Sequence, residues 1–302
     1  MTPPEPDLPR TSPLRLRGKV FDSARPAVMA IVNRTTDSFY ADNRHADLGS
    51  AVRALEAAVE AGADIVDVGG VRAGQEGEAV GPQQEMDRVL PFLELARRDH
   101  PDLVLSLDTW RSEVAREAGR LGLDLVNDTW AGHDPRLVDV AAEIGAGVVC
   151  SHTGGLPPRT DPVGVTYPPE PGGVVEDVLR TLAAGARRAE QAGIPPERVL
   201  VDPTLDFGKT TAHSVRVLRH TADVARLGYP VLQALSRKDF VGESLDLPPE
   251  ERLEGTLAAT AVAAWLGATV FRAHDVRATR RVVDMVAVLR GDAAPRVARR
   301  GA

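Results

Sequence analysis

The chain has 302 residues, 43% of them hydrophobic, which is enough for one large domain with a sizeable core. Its formal net charge of −7 argues against a nucleic-acid-binding surface, and its single cysteine excludes an internal disulfide. The longest uncharged run, residues 255–271, is too short and too weakly apolar to span a bilayer. We therefore expect a cytoplasmic protein with neither a nucleic-acid nor a membrane partner.

The first 24 residues contain five prolines and scattered arginines, and they lack the apolar core of a signal peptide. This composition predicts a flexible N-terminal tail over residues 1–24. One folded domain is expected over 25–291, followed by a C-terminal tail over 292–302.

Eight short apolar runs, each followed by polar residues, predict eight buried strands. They lie at 28–32, 64–68, 103–107, 123–126, 146–150, 198–201, 231–235 and 268–271. Segments of helical length separate or follow them, at 50–61, 82–97, 111–121, 134–144, 173–193, 211–227, 249–266 and 276–290. Eight strand–helix units predict an α/β fold closed as a (β/α)₈ TIM barrel. An open doubly wound sheet is the alternative, but no Gly-x-Gly-x-x-Gly follows the first strand.

In such a barrel, the carboxyl ends of all strands meet on one face, where active sites lie. The polar side chains expected there are Asn33, Asp37, Asp108, Asn127, Asp202, Lys238, Arg272 and His274. Lys238 is notable because only three of the 36 basic residues are lysines.

These residues suggest two kinds of chemistry. Asp108, Asn127, Asp202 and Lys238 could form an alternating ring of acceptors and donors. Such a ring suits a flat nitrogen heterocycle, because a carboxylate accepts two parallel N–H bonds from an amidine-like edge. The other group, namely Asn33, Arg272 and His274, suits a phosphorylated ligand, with Asn33 as an oxygen ligand for Mg²⁺.

Ordinary structural roles are the alternatives for single positions. An Asp or Asn after a strand is a common helix N-cap, and Asp202 before a proline could serve a turn. Arg272 could form a plain surface pair with an aspartate. Cys150 and His152 suggest a thiol nucleophile, but strand alternation puts both on one side and favours a core thiol.

Several spaced motifs resemble those of the dihydropteroate synthase family. Residues 33–39 read Asn-Arg-Thr-Thr-Asp-Ser-Phe, similar to the family's Asn-Val-Thr-Pro-Asp-Ser-Phe. Residues 202–209 resemble Asp-Pro-Gly-x-Gly-Phe-Gly-Lys, 236–239 resemble Ser-Arg-Lys-Ser, and 272–275 resemble Arg-Val-His-Asp. The resemblance runs from about residue 26 to 291.

The resemblance implies a (β/α)₈ barrel, usually a homodimer, that joins p-aminobenzoate to 6-hydroxymethyl-dihydropterin diphosphate and releases diphosphate in folate biosynthesis. Lys238, Asp202 and Arg272 would be the catalytic residues, and Asn33 the Mg²⁺ ligand. The substrate-binding residues would be Asp108, Asn127, Asp202, Phe207, Lys238, Ser236, Arg272, His274 and Asp239.

Three departures concern the reacting end of the site. In the second loop, Ala73 and Gly74 replace a Thr and an Arg, and Arg72 could substitute only if the loop shifts. In the first loop, Arg34 and Thr36 replace Val and Pro, and the loss of Pro should loosen that loop.

The third departure is Asp239, which replaces a Ser that lies by the benzoate carboxylate in the family. Two like charges about 4 Å apart at an effective dielectric of about 20 repel by about 4 kcal/mol, or about a thousandfold in affinity. The alternative is that Asp239 merely caps the following helix.

The pterin end is thus retained and the benzoate end altered, a pattern that resembles the divergent second branch of the family in actinobacteria. We expect a pterin-binding protein whose condensation with p-aminobenzoate is weak, lost or redirected to another arylamine. The alternatives are a fully active dihydropteroate synthase and a non-catalytic pterin-binding protein.

Overall fold

The computed structural model describes residues 8–34, 47–72, 79–160, 163–169, 173–297 and 299–300. The strands are β1 Leu14–Leu16, β2 Lys19–Phe21, β3 Ala27–Asn33, β4 Ile65–Gly69, β5 Val104–Asp108, β6 Leu125–Asn127, β7 Gly147–Ser151, β8 Val199–Asp202, β9 Leu232–Ala234 and β10 Val270–Ala273. The helices are α1 Leu48–Glu60, α2 Pro82–Asp99, α3 Ser112–Gly119, α4 Leu137–Glu143, α5 Gly173–Gln191, α6 Thr211–Arg219, α7 Thr221–Ala225, α8 Asp239–Leu245, α9 Leu253–Trp265 and α10 Val276–Leu289.

Strands β3 to β10 form one parallel sheet in the order β8-β7-β6-β5-β4-β3-β10-β9. A parallel bridge between Val201 and Val231 joins the two ends, and Val201 N donates to Pro230 O at 3.0 Å. The sheet is therefore closed, and the predicted (β/α)₈ TIM barrel is confirmed. We call the carboxyl end of this barrel the mouth.

Alternation along each strand decides which side chains face the barrel interior. Ile65, Leu125, Leu200 and Val270 belong to a buried apolar layer inside the barrel. The residues two positions further on face the same way and lie nearer the mouth. They are Asp67, Asn127, Asp202 and Arg272.

The N-terminal segment is the main difference from the predicted fold. Residues 14–21, expected in a flexible tail, form the antiparallel hairpin β1–β2. Leu14, Leu16 and Phe21 are fully buried in the apolar layer, so the hairpin closes the amino-terminal end of the barrel. Its turn places Arg17 and Gly18 at φ +48° and +71°, the geometry of a two-residue hairpin.

Two further details differ from the predicted elements. The segment predicted as one helix over 211–227 is divided into α6 and α7 at His220. The short helix α8 was not among the predicted segments, although Asp239 was considered as a helix cap. Within the described residues, no helix is both long enough and apolar enough to cross a membrane.

Candidate functional site

A buried carboxylate inside the barrel, that of Asp67 on β4, connects three strands below the mouth. Its Oδ2 accepts hydrogen bonds from Arg272 Nε at 2.7 Å and from Asn127 Nδ2 at 3.0 Å. Its Oδ1 accepts one from Ser106 Oγ at 2.5 Å. Arg272 Nη2 also donates to Asp108 Oδ2 at 2.9 Å. Three predicted site residues, Asn127, Asp108 and Arg272, thus belong to one bonded cluster.

Burial controls the charges in this cluster. It raises the pKa of Asp108 to about 7. The positive charge of Arg272 acts to lower this pKa, and the negative charge of the nearby Asp67 acts to raise it further. Burial alone would lower the pKa of Arg272, but the carboxylates of Asp67 and Asp108 outweigh it and raise that pKa. Arg272 therefore stays charged, whereas Asp108 titrates near neutral pH.

Asp202 and Lys238 occupy the adjoining part of the rim. Asp202 Oδ1 accepts a hydrogen bond from Thr204 N at 2.7 Å, and Lys238 Nζ donates to Leu205 O. Lys238 Nζ also lies 5.1 Å from the centre of the Phe207 ring, a cation–π distance. Burial raises the pKa of Asp202 and lowers that of Lys238, and the opposite charges limit both shifts. The predicted site residues Asp202, Lys238 and Phe207 thus lie together on this part of the rim.

The loop after β8 is held in one conformation by Lys209. Its buried Nζ donates to the carbonyl oxygens of His152, Thr204 and Phe207 at 2.9, 3.1 and 2.9 Å. At Gly208, φ is +64° and an added Cβ would lie 2.1 Å from a backbone oxygen, so only glycine fits. Burial lowers the pKa of Lys209 to about 7. The loop therefore fixes the position of the Phe207 ring.

Aromatic rings line one side of the mouth. Trp130 packs edge-to-face against Phe207 at 5.3 Å and against Trp110 at 6.4 Å between ring centres. The guanidinium carbon of Arg111 lies 4.6 Å above the Trp110 ring. The repeated Asp-Thr-Trp sequence after β5 and β6 thus forms an apolar wall beside Phe207.

Ser236 and His274 lie together at the ends of β9 and β10. His274 N donates to Ser236 Oγ at 3.2 Å, and Ser236 Oγ is 3.0 Å from His274 Nδ1. Burial, with the nearby Arg272, lowers the pKa of His274 to about 4. His274 is therefore neutral at pH 7, and we assign its ring proton to Nε2 because the serine hydroxyl can donate to Nδ1.

Asn33, the predicted Mg²⁺ ligand, ends β3. An added Cβ on Gly69 would lie 3.6 Å from both Asn33 Oδ1 and Asp108 Cβ, so the amide oxygen and the carboxylate flank this glycine. Within the described residues, no three His, Cys, Asp or Glu side chains form a metal site. The donor set fits Mg²⁺ only if water and ligand phosphates supply most of its oxygens, which is its usual mode of binding.

Asp239 differs from its expected role. It is the first residue of α8 and makes no capping hydrogen bond, since Lys238 occupies the N-cap position. Its Oδ1 accepts a hydrogen bond from Arg252 Nη1 at 2.9 Å, and its side chain is 56% exposed. Ion pairing and solvent therefore screen its charge, and the repulsion of about 4 kcal/mol expected for a bare pair is too large.

Cys150 and His152 do not form a nucleophilic pair. Burial raises the pKa of the Cys150 thiol to about 12, which leaves it protonated. The fully buried His152 instead donates from Nε2 to Asp177 Oδ2 at 2.9 Å. Cys150 is a half-buried thiol packed against the core, so it differs from the predicted core thiol in its exposure but not in its structural role.

Some predicted positions lie outside the described residues: Thr36, Asp37, Ala73 and Gly74. Of the first-loop substitutions, only Arg34 is described. It is buried and donates from Nε to Arg88 O at 2.9 Å, which ties the start of this loop to α2.

Sequence reasoning missed two residues that organise the site, Asp67 and Lys209. Asp67 lies inside an apolar run rather than after it. The sequence indicates its position only through strand alternation. Asp67 comes two residues after Ile65, so its carboxylate faces the barrel interior like the Ile65 side chain. Lys209 is one of the three lysines of the chain and ends the motif at residues 202–209, but its backbone acceptors depend on loop geometry.

Comparisons with known proteins agree with this geometry. Residues 29–274 match the family model of pterin binding enzymes. A Mycobacterium leprae (strain TN) protein named inactive dihydropteroate synthase 2 is 52% identical over 280 residues, covering 93% of this chain and 96% of that protein. The dihydropteroate synthase of Escherichia coli (strain K12) is 35% identical over 271 residues, covering 89% and 94%.

A solved structure is similar throughout the barrel. The dihydropteroate synthase of Coxiella burnetii, in complex with pteroic acid, superposes with a TM-score of 0.81 at 33% identity, covering 93% of this chain and 99% of that one. The resemblance predicted from the motifs is confirmed, and the chain belongs to the pterin-binding enzyme family that includes the dihydropteroate synthases.

Proposed function

We propose that the protein binds 6-hydroxymethyl-dihydropterin diphosphate in the mouth and that its condensation with p-aminobenzoate is lost, weak or redirected. The observation that carries this proposal is the rim formed by Asp108, Asn127 and Asp202, whose side chains face the same interior. A carboxylate there can accept two parallel N–H bonds from the amidine-like edge of a pterin. The C. burnetii complex with pteroic acid supports the proposal of pterin binding. The M. leprae relative, which is named inactive, supports the proposal that condensation is lost or weak.

The charges around the rim suit the expected reaction. When all are ionised, three carboxylates, those of Asp67, Asp108 and Asp202, face the two cations Lys238 and Arg272. This slight negative excess favours positive charge on the methylene carbon as diphosphate leaves. Two of the five N–H donors of Arg272 are used by carboxylates, so the others can orient the leaving group.

Asn33, Ser236 and His274 would hold the diphosphate end. Neutral His274 would donate one hydrogen bond from Nε2 without adding charge. Asn33 would supply one oxygen ligand to Mg²⁺, which when bound would neutralise diphosphate charge.

The arylamine end explains why condensation would be weak. Ala73 and Gly74 offer neither a hydroxyl nor a guanidinium where the family has Thr and Arg. Because Arg252 already pairs with Asp239, repulsion of a benzoate carboxylate is a smaller contribution than these two losses.

A titration with the pterin diphosphate in the presence of Mg²⁺ tests the proposal, by calorimetry and by tryptophan fluorescence from Trp130 beside Phe207. We expect saturable binding. Asp202→Asn should abolish it, whereas the exposed Asp102→Asn should bind like the wild type. Absence of binding to the wild-type protein would overturn the proposal.

Turnover separates the alternatives. A near-normal kcat/KM with p-aminobenzoate would establish a fully active synthase and contradict the loss of condensation. Turnover only with neutral or cationic arylamines would identify a redirected enzyme. Binding without turnover on any arylamine would indicate a non-catalytic pterin-binding protein.

A cytoplasmic homodimer completes the proposal. On the adjacent helices α9 and α10, large apolar side chains outside the other concave surface of the barrel are exposed: Val262, Trp265 and Leu289. A second copy covering this face would bury them. Light scattering should give twice the chain mass of 32.2 kDa, and Leu289→Asp should shift it toward the monomer.

A further inference from the structure

A second concave surface lies at the opposite end of the barrel. This groove, of about 1030 Å³, lies between the β1–β2 hairpin, the segment before β3, the segment before β4, α10 and the C-terminal segment. We call it the amino-terminal groove. Its volume is at the upper end of the range for small-molecule sites.

The groove is cationic in a chain whose net charge is −7. Its walls carry two carboxylates, Asp64 and Asp284, and five basic side chains, namely those of Lys19, Arg25, Arg280, Arg281 and Arg296. The groove therefore has an excess of three positive charges.

The two carboxylates are already shared between arginines. Asp64 lies 2.8 Å from Arg280 Nη1 and 3.6 Å from Arg25 Nη2. Asp284 lies 2.9 Å from Arg280 Nη2 and 2.6 Å from Arg296 Nη2. Arg25 and Arg296 nevertheless remain 70% and 84% exposed, so their guanidinium groups are available to a further anion.

Two of the cations differ from these arginines in their ion pairing. Among the described residues, Lys19 and Arg281 form no ion pair. Like charges that surround one concavity repel each other, and a multivalent anion would relieve that repulsion.

The groove also has apolar lining residues, among them Met285 and Val288 on α10 and Pro295 in the C-terminal segment. An occupant that matches both kinds of side chain carries an anionic group and an apolar body. A phosphate suits the cationic side chains better than a single carboxylate, because it offers more charge and three acceptor oxygens to arginine forks.

We propose that the amino-terminal groove binds an organic phosphate, with its phosphate group against Lys19 and Arg281 and its apolar body against Met285 and Pro295. This site is separate from the mouth, because its lining residues precede the barrel strands or lie from the second turn of α10 onward. It does not depend on the proposed pterin chemistry.

The three lysines of the chain make the site easy to monitor. Limited acetylation followed by mass spectrometry reports Lys19 in the groove, Lys238 at the mouth and the buried Lys209 separately. With phenyl phosphate as the probe and no Mg²⁺ present, we expect at least fivefold protection of Lys19 and unchanged labelling of Lys238. Inorganic phosphate should protect Lys19 less, and higher salt should weaken both effects.

Matched variants localise the effect. Arg281→Ala should raise the phenyl phosphate concentration that half-protects Lys19 at least tenfold, whereas Arg277→Ala, at an exposed residue of the same helix outside the groove, should leave it unchanged. Protection of Lys238 in place of Lys19, or equal protection in the two variants, would overturn the proposal. Protection by a poly-glutamate peptide but not by phenyl phosphate would also overturn it, since the groove would then be a docking surface for an acidic protein segment.

Discussion

Arg272 Nε lies 2.7 Å from Asp67 Oδ2 at the centre of the barrel, although the two residues are 205 positions apart in the chain. Asp67 is fully buried and its other partners are Asn127 and Ser106. The pair therefore links the first half of the barrel to its last strand and fixes the guanidinium that the proposed diphosphate site uses.

Asp67→Asn tests this linkage. It preserves the size of the side chain but leaves the buried guanidinium with only Asp108 as a charged partner. We expect a loss of about 3 kcal/mol in the free energy of unfolding, the lower end for a broken buried pair because Asp108 remains. Pterin affinity should also fall at least tenfold. Urea unfolding measures the first effect, and Asp99→Asn, which breaks an exposed pair with Arg98, should change stability by less than about 1 kcal/mol.

The sequence predicts the barrel and most of the rim because both follow from one periodic rule. Each apolar run ends in a polar residue, and parallel strands place those residues on one face. The rule does not find Asp67, because this residue lies within an apolar run rather than after it. It also does not find the hairpin that contains Leu14 and Phe21, because nearby prolines obscure the alternation of apolar and polar residues there. The pair of Asp239 and Arg252 depends on the path of a connecting turn, which local pattern does not encode.

Asp239→Ser should improve p-aminobenzoate binding only modestly, by a few-fold. The variant removes a screened charge and releases Arg252, which can then attract the benzoate carboxylate. KM for p-aminobenzoate, or its Kd with the pterin bound, is the measurement. Glu251→Gln, which removes an exposed charge beside Arg252, should leave affinity unchanged. A gain in affinity near a thousandfold would show that unscreened repulsion by Asp239 limits binding. An unchanged affinity would show that Asp239 does not lie at the arylamine end.

Pterin affinity should depend on pH through Asp108. Its pKa is raised to about 7 by burial, and only the ionised carboxylate can accept the two N–H bonds. Affinity should therefore fall by about tenfold per pH unit below about 7 and level off above it. Calorimetry from pH 5.5 to 8, corrected for ionisation of the free ligand, measures this. The Asp108→Asn variant should bind the pterin more weakly, and its affinity should not depend on pH in this way. If the pH dependence is retained in the variant, another titrating group causes it.

Acid should destabilise the fold through His152. Burial, with the nearby Lys209, lowers its pKa to about 4, so the unfolded chain binds a proton more readily than the native one. The stability from neutral His152 is present above its ordinary pKa of about 6.5 and is lost as the pH falls toward 4, at about 1.4 kcal/mol per unit. His274, whose pKa is also lowered to about 4, acts in the same direction. Asp108, whose pKa is raised to about 7, acts in the opposite direction, so the wild-type change is the sum of these effects. Urea unfolding at pH 7 and 5 should show that His152→Gln loses about 2 kcal/mol less stability than the wild type over this interval. The exposed His133→Gln should lose as much as the wild type, and an equal loss in all three proteins would show that His152 does not govern the acid response.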